Sequence, residues 1–174
     1  PILISRTKDT GVLSREDAIK LGTTGSVLRA SGVDFDIRKK EPYDVYEELD
    51  FQTNVLKEGD SYARSKIPWL DMLESCRIIR DALQKMPKSG SVRIKLKPKP
   101  KGGDTEVYRR VESGRGSLGM HIISNNKPQP YRLKISVPSF RNLIAMPHLL
   151  TGEKLGNLPP VYWSLNYWPV EADR

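Results

Sequence analysis

The fold is decided by the stretch Glu106-Val107-Tyr108-Arg109-Arg110-Val111-Glu112-Ser113-Gly114-Arg115-Gly116-Ser117-Leu118-Gly119-Met120-His121-Ile122-Ile123-Ser124. Two runs rich in β-branched and aromatic residues flank Gly114-Arg115-Gly116, and glycines between such runs are typical of a hairpin turn. We predict strands over 106–113 and 117–124. A third strand is predicted from Tyr131 to Val137, which gives one small antiparallel sheet.

Helical patterns dominate the rest of the chain. The clearest helix covers about Tyr62 to Met86, and its apolar residues recur at three- and four-residue steps that place them on one stripe. The stripe consists of Trp69, Met72, Leu73, Cys76, Ile79, Leu83 and Met86. Pro68 predicts a kink or a fresh start, because proline cannot donate the helical hydrogen bond.

Three shorter helices are predicted from their boundary residues. Ser14 is an N-cap for a helix that Gly22 ends, and a turn or helix over 26–30 ends at Gly32. Ser139 is the predicted N-cap of a helix from about Phe140 to Leu150. Residues 33–60 are predicted to be irregular. The expected fold class is therefore α+β, mainly helical with a small antiparallel sheet.

Length and composition predict one folded domain over residues 1–174. The 174 residues are 37% hydrophobic and 29% charged, a mixture that argues against disorder and is long enough for a core. Prolines and glycines break residues 87–105, where Lys95, Lys97, Lys99 and Lys101 alternate. This Lys/Pro-rich segment is predicted to be a linker whose lysines are solvated.

The charge balance restricts the classes of partner. A net charge of +8 favours nucleic acid, anionic lipid or an acidic protein. The basic stretches lack interleaved aromatic residues, so a basic nucleic-acid-binding module is kept only as an alternative. No apolar run approaches the roughly 18 residues of a membrane span. The start at Pro1, without a signal peptide, suggests a piece of a longer chain on the cytoplasmic side.

Few residues carry recognisable chemistry. His121 and His148 have no second ligand at metal-binding spacing, and they are interpreted as structural. Cys76, the single cysteine, lies on the helical stripe and is interpreted as a small core residue. Gly114-Arg115-Gly116 resembles a phosphate-binding loop only loosely, and a turn explains it better. These residues alone predict no metal site and no catalytic set.

The C-terminal tail Leu158-Pro159-Pro160-Val161-Tyr162-Trp163-Ser164-Leu165-Asn166-Tyr167-Trp168-Pro169-Val170-Glu171-Ala172-Asp173-Arg174 is unusually apolar for a chain end. It holds two of the three tryptophans and two of the seven tyrosines. Exposing these rings to water costs free energy. We therefore expect the tail to pack inside a protein or at an interface, with its charged end held by partners; a terminal helix docked on its own domain is the alternative.

Four segments share the order and spacing of one family along nearly the whole chain. They are Leu28-Arg29-Ala30-Ser31-Gly32-Val33-Asp34-Phe35-Asp36-Ile37-Arg38-Lys39, Gly59-Asp60-Ser61-Tyr62-Ala63-Arg64, Val107 to Gly119, and Pro130-Tyr131-Arg132-Leu133-Lys134-Ile135-Ser136-Val137-Pro138-Ser139-Phe140. Together they resemble the C-terminal half of the large, quinone-cavity (D) subunit of respiratory complex I, or NADH-quinone oxidoreductase, a family related to the large subunits of nickel–iron hydrogenases.

This resemblance implies a hydrogenase large-subunit-like fold and a peripheral subunit on the cytoplasmic face of a membrane oxidoreductase. Its expected partners are the iron–sulfur small subunit, the membrane arm and the N-terminal half of the large subunit itself. The terminal iron–sulfur cluster would belong to the small subunit, and this chain would bind no cofactor itself. It would shape a quinone cavity without conducting electrons. NADH or ferredoxin would be the donor.

The resemblance also assigns a substrate-cavity role to the tail, at Asn166, Trp168, Glu171, Asp173 and Arg174. A Ser-Leu-Asp-Pro stretch is expected in the family, so Asn166 stands here for an aspartate. The hydrogenase nickel-ligand cysteines align with Trp168 and Glu171, neither of which is a thiol, so no nickel site is expected. Loss of the aspartate and the bulk of Trp168 favour an alternative: the ferredoxin-driven, ion-pumping branch that reduces sulfur compounds.

Overall fold

The computed structural model describes residues 1–95 and 102–173. Lys97, Lys99, Lys101 and Arg174 therefore lie outside the described residues. The helices of the described part are α1 (Ile2–Thr7), α2 (Arg15–Lys20), α3 (Gly25–Ala30), α4 (Ile37–Lys40), α5 (Ser61–Lys85), α6 (Pro138–Leu143), α7 (Met146–Leu150), α8 (Leu158–Ser164) and α9 (Pro169–Ala172), with 3-10 turns at Tyr46–Glu48 and Leu155–Asn157.

The described residues form three strands, β1 (Asp104–Ser113), β2 (Gly116–Asn125) and β3 (Arg132–Ser136), in the antiparallel order β1-β2-β3. The predicted fold class, mainly helical with a small antiparallel sheet, is confirmed. Opposite residues of the ladder share a face. One face carries Val107, Ile122 and Leu133, and the other carries Tyr108 and His121 beside a lysine of β3. The sheet is thus amphipathic.

The predicted N-cap of α2 is confirmed, and α3 forms where a turn or helix over 26–30 was predicted, although it begins one residue earlier, at Gly25. The Ser14 hydroxyl accepts the Asp17 N–H at 3.0 Å, which satisfies one of the free donors at the start of α2. Gly22, with φ 65°, ends the helix in the left-handed region. Residues 33–60 are less irregular than predicted, since α4 and a 3-10 turn form there, and α1 was not predicted at all.

The long helix α5 forms where it was predicted, but two details were wrong. It continues through Pro68 without a new start, because the loss of one hydrogen bond is offset by packing of the helix on α3 and α8. Its predicted stripe faces outward: Trp69 is 69% exposed and Leu73 is 64% exposed. The buried face instead carries small residues such as Ala63, together with Ile67, so that α3 approaches closely.

Cys76 is exposed, so its interpretation as a core residue was wrong for the same reason. Ser139 was wrongly predicted as an N-cap. The helix begins at Pro138 with Val137 as its N-cap, and Ser139 is buried within the first turn. The predicted single helix to Leu150 is broken into α6 and α7, because Pro147 cannot continue the hydrogen bonding of α6 but suits a helical first turn.

The main hydrophobic core joins the N-terminal helices to the C-terminal ones. It is formed by Leu13, Ala18, Val27, Leu28, Ala145, Leu149, Val161 and Leu165. Because Val161 and Leu165 lie on and just after α8, the beginning of the tail is fixed by this core. In the described part of the chain, none of the helices combines the length and the apolar character that a membrane crossing requires.

Candidate functional site

The tail turns sharply after α8. Leu165 is fully buried, and the next residue, Asn166, has φ 52°. Asparagine adopts this left-handed conformation more readily than most residues with a side chain. The turn directs Trp168 and the short helix α9 back over α6. The tail packs as expected through Val161 and Leu165, which are fully buried, whereas Trp163 of α8 is 75% exposed.

Ser139 joins the tail to the body of the protein. Its hydroxyl donates a hydrogen bond to the Glu171 carboxylate and accepts the backbone N–H of Trp168 at 3.2 Å. Ser139 is fully buried. One side chain of α6 thus fixes two of the predicted cavity residues beside each other, at the start and within the first turn of α9.

Arg115 completes the arrangement from the hairpin turn between β1 and β2. Its guanidinium carbon lies 5.2 Å from the centre of the Trp168 ring, within the range of a cation–π contact. The buried Nε of Arg115 has no hydrogen-bond partner among residues 1–95 and 102–173. A buried donor without a partner costs free energy, which is recovered if a ligand accepts its hydrogen bond. We name Arg115, Ser139, Trp168 and Glu171 the tail site.

Backbone packing holds the hairpin turn in place. A side chain at Gly25 would clash with the Arg115 carbonyl, and Gly116 lies directly against Gly25. The Ser117 N–H donates to the Thr24 hydroxyl at 2.9 Å. This close approach requires the two glycines.

Asn142 extends this support to α6. Its side-chain oxygen accepts the Thr24 N–H at 2.8 Å, and its amide donates to the Thr24 carbonyl at 3.2 Å. Asn142 is fully buried, one helical turn after Ser139. The same helix therefore holds both the start of α3 and the tail, which makes the tail site part of a rigid framework.

The structure brings together only part of the predicted site. Trp168 and Glu171 meet at Ser139, and Asn166 is half-buried at the turn before them. Asp173 is exposed after α9. Sequence reasoning missed Arg115 and Ser139 as site residues, although Arg115 lies in one of the four family segments and its position between two glycines at a tight turn was visible.

The histidines take part in ordinary polar pairs. His121 Nε2 lies 2.6 Å from the Glu106 carboxylate on the sheet, and His148 Nε2 lies 3.5 Å from the Asp17 carboxylate. Both partners are carboxylates from neighbouring elements. Within the described ranges, no group of three or more His, Cys, Asp or Glu side chains could hold a metal ion.

Comparison with known protein families identifies the family of this chain. The family model for the 49 kDa subunit of respiratory-chain NADH dehydrogenase matches residues 1–102 and 95–174. The chain belongs to this 49 kDa subunit family. The resemblance inferred from the four sequence segments is therefore confirmed.

Relatives of this 49 kDa family chain carry the name of the (D) subunit of NADH-quinone oxidoreductase. The protein from Myxococcus xanthus is 38% identical over 197 residues, which cover 99% of this chain and 48% of the relative. The protein from Bacillus cereus is 41% identical over 172 residues, covering 99% of this chain and 47% of the relative. The chain thus spans about half the length of the curated relatives it matches.

A solved structure shares the same fold. A chain of the membrane-bound sulfane sulfur reductase, an archaeal respiratory membrane complex, superposes with a TM-score of 0.89 and 34% sequence identity. The match covers 99% of this chain and 48% of that chain. The large-subunit fold expected from the sequence is therefore shared with a subunit of this respiratory membrane complex.

Proposed function

We propose that this chain is part of a peripheral subunit of a complex-I-related membrane oxidoreductase. It would form part of the wall of the cavity that binds the electron acceptor. The tail site carries this proposal. Arg115 offers a buried donor without a partner in the described part of the chain, and its guanidinium group stacks on Trp168, which is 52% exposed. Its position depends on buried hydrogen bonds rather than on flexible loops. A preorganised donor of this kind suits an acceptor that becomes negatively charged on reduction.

The electrons must reach the cavity from elsewhere. Iron–sulfur clusters are held by sets of cysteine thiolates, and this sequence contains a single cysteine, Cys76, on the exposed side of α5. We therefore assign the cluster to a partner iron–sulfur subunit. The assembly would further include the membrane arm and the other half of the large-subunit polypeptide, at the cytoplasmic face of the membrane.

Each residue of the tail site would perform a separate task. The Arg115 guanidinium would donate hydrogen bonds to the developing negative charge of the acceptor, and Trp168 would restrict the acceptor to one side of that group. Ser139 would orient the Glu171 carboxylate. Asn166, Asp173 and Arg174 are the further cavity residues that the family resemblance proposes.

Two acceptors remain candidates, each favoured by a different comparison. The relatives from M. xanthus and B. cereus are named for quinone, whereas the superposed structure is a sulfane sulfur reductase. The asparagine at 166 and the large Trp168 ring favour the second, with ferredoxin rather than NADH as donor. Both acceptors gain negative charge on reduction, so Arg115 suits either.

The test is turnover of the assembled complex in membranes, with quinone and polysulfide offered separately as acceptors and NADH and reduced ferredoxin as donors. We expect Glu171→Gln, and separately the deletion of Asp173 and Arg174, to impair turnover or assembly of the complex. Ser65→Ala is the control, because among residues 1–95 and 102–173 its hydroxyl donates only to the Ser61 carbonyl of its own helix. Unchanged turnover in both tail variants would overturn the cavity-wall proposal.

A further inference from the structure

A second group of charged residues, none of which belongs to the tail site, meets in the interior. Arg29 comes from α3, Asp36 and Arg38 from the start of α4, Asp71 from α5, and Glu112 from the end of β1. Arg29, Arg38, Asp71 and Glu112 line a partly enclosed pocket of about 150 Å³. The group combines three carboxylates with two guanidinium groups, so it carries one excess negative charge when all are ionised.

Two of the three carboxylates, those of Asp36 and Asp71, accept short hydrogen bonds from charged side chains. Asp36 accepts from Arg38 Nε at 3.0 Å, from Arg38 Nη2 at 2.7 Å and from the Arg38 backbone N–H at 2.9 Å. Asp71 accepts a short hydrogen bond from Arg29 and one from the Asn54 amide at 3.0 Å. Such charge-assisted bonds stabilise the ionised form.

Glu112 is the exception. Its side chain is 8% exposed, yet its carboxylate accepts only a 3.3 Å bond from Arg29 Nη1 and a 3.4 Å bond from the Ile37 N–H within the described residues. Both distances exceed those typical of charged hydrogen bonds. Burial raises the pKa of Glu112 above its ordinary value, and the nearby Asp36 charge raises it further, while Arg29 and Arg38 act in the opposite direction.

The pocket beside Glu112 also contains neutral polar groups. Its other lining residues include the hydroxyl-bearing side chains of Tyr46, Ser75 and Ser113. Its volume of about 150 Å³ is well above the minimum that a water molecule requires. Asp71, at the side of the pocket, is 27% exposed.

We propose that Glu112 is a proton-exchange site, which holds a proton inside the folded chain and exchanges it with water in the pocket. The O–H bond of the carboxylic acid breaks, the proton passes to pocket water, and the carboxylate remains; uptake is the reverse. Protonation cancels the excess charge of the group. The charged and titratable groups around Glu112 are Arg29, Asp36, Arg38, Asp71, Arg110, Tyr43 and Tyr46.

The use of this proton in a reaction rests on the proposed function. Glu112 precedes Arg115 by three residues at the same hairpin turn, where Ser113 accepts the Arg115 backbone N–H at 3.4 Å. A change of charge beside Arg115 on reduction of the acceptor therefore alters the electrostatic potential at Glu112. Glu112 would take up a proton when negative charge appears in the tail site.

The test is an infrared titration of the full chain with glutamate carboxyl carbons labelled by ¹³C, which requires no turnover. We expect a band from a protonated carboxyl group that shifts with the label. This band should disappear with a pKa above the ordinary glutamate pKa of about 4.3. Glu112→Gln should remove this band. Glu106→Gln, which changes an exposed glutamate of the same strand paired with His121, is the matched control and should retain it.

Two outcomes would overturn the proposal: absence of any labelled carboxyl that titrates above the ordinary range in the unmodified chain, or persistence of the band in Glu112→Gln. Circular dichroism checks the fold of the variant, and the labelled unmodified chain decides the matter if the variant unfolds. Because no electron donor or acceptor is present, failure here leaves the cavity-wall proposal standing, and failure of that proposal leaves this titration valid.

Discussion

Arg64 and Arg115 both place a guanidinium group inside the protein. The protein accepts several hydrogen bonds from Arg64, whereas the buried Nε of Arg115 has no acceptor among the described residues. Arg64 is fully buried, and it donates to the Gly59 carbonyl at 2.6 Å, the Gly11 carbonyl at 2.8 Å and the Ser164 hydroxyl at 2.9 Å. Burial lowers its pKa to about 10, so it still carries its charge at neutral pH. It links α5 to α8 and to two loops.

Arg115, in contrast, stacks on Trp168 and keeps a buried Nε without a partner in the described part of the chain. The difference separates two uses of the same side chain. A guanidinium whose donors are all used by the protein stabilises the fold. One that is held in place but keeps a buried donor without a partner lowers stability, and under the proposed function this donor of Arg115 serves the acceptor.

Removal of Arg64 should have the largest effect. Arg64→Met leaves the buried Gly11 carbonyl without its donor and removes one of the two donors of the Gly59 carbonyl, which keeps the Leu13 N–H; loss of a buried hydrogen-bond partner costs about 1–3 kcal/mol. We expect the free energy of unfolding to fall by about 3 kcal/mol or more, measured by urea denaturation. Arg115→Met should cost less than about 1 kcal/mol. Similar losses in the two variants would remove the distinction between the arginines.

Ser139→Ala should produce an intermediate effect. The change leaves the Trp168 N–H and the Glu171 carboxylate without their shared partner, which costs about 1–3 kcal/mol. Tryptophan fluorescence should report a less ordered Trp168, and turnover of the assembled complex should fall. A variant with native fluorescence and native turnover would show that Ser139 does not hold the tail.

The charged pocket should show two opposite pH dependences. The pKa of Asp36 is lowered: burial acts to raise it, but the hydrogen bonds and charge of Arg38 outweigh burial. Its stabilisation is therefore present above the unfolded aspartate pKa of about 3.9 and is lost as pH falls through the folded pKa. Asp36→Asn should abolish this acid-side loss in urea denaturation series.

Glu112 has the opposite sign. Because its folded pKa is raised, the native state binds the proton more tightly, so stability declines as pH rises from about 4.3 through the folded pKa. Glu112→Gln should flatten the unfolding free energy in this window. An unchanged slope, or a steeper one, would contradict the assignment of the raised pKa to Glu112.

The exposed stripe of α5 should give the smallest change in stability. Trp69→Ser should alter the free energy of unfolding by no more than about 0.5 kcal/mol, because the ring is already 69% exposed. It should nevertheless reduce self-association of the isolated chain in ultracentrifugation. Ile67→Ala, on the fully buried side of the same helix, is the contrast and should cost about 2–5 kcal/mol.

Local patterns in the sequence were enough to predict the hairpin, the long helix and the fold class. The alternation around Gly114-Arg115-Gly116 and the cap at Ser14 depend on neighbouring residues only. The orientation of α5 could not be predicted, because its apolar stripe and its small-residue face have the same helical period. Which face is buried depends on Ala30 of α3, more than thirty residues away.

The candidate site was predictable only in part, for a similar reason. Trp168 and Glu171 were identified through the family resemblance, since the tail forms one continuous segment. Arg115 and Ser139 become site residues only when α6, α9 and the hairpin turn meet, which no periodicity reveals. Glu112 could not be identified either, because the weak hydrogen bonding of its carboxylate depends on contacts with α3 and α4.

The central claim, that Arg115 serves a ligand rather than the fold, is tested most directly by turnover of the assembled complex carrying Arg115→Lys. Arg109→Lys, which changes an exposed arginine of the same hairpin, is the matched control. We predict at least about tenfold lower kcat/KM for Arg115→Lys, equivalent to about 1.4 kcal/mol, with the unfolding free energy unchanged within about 0.5 kcal/mol. Equal kcat/KM in both variants, or loss of activity only in parallel with loss of stability, would contradict it.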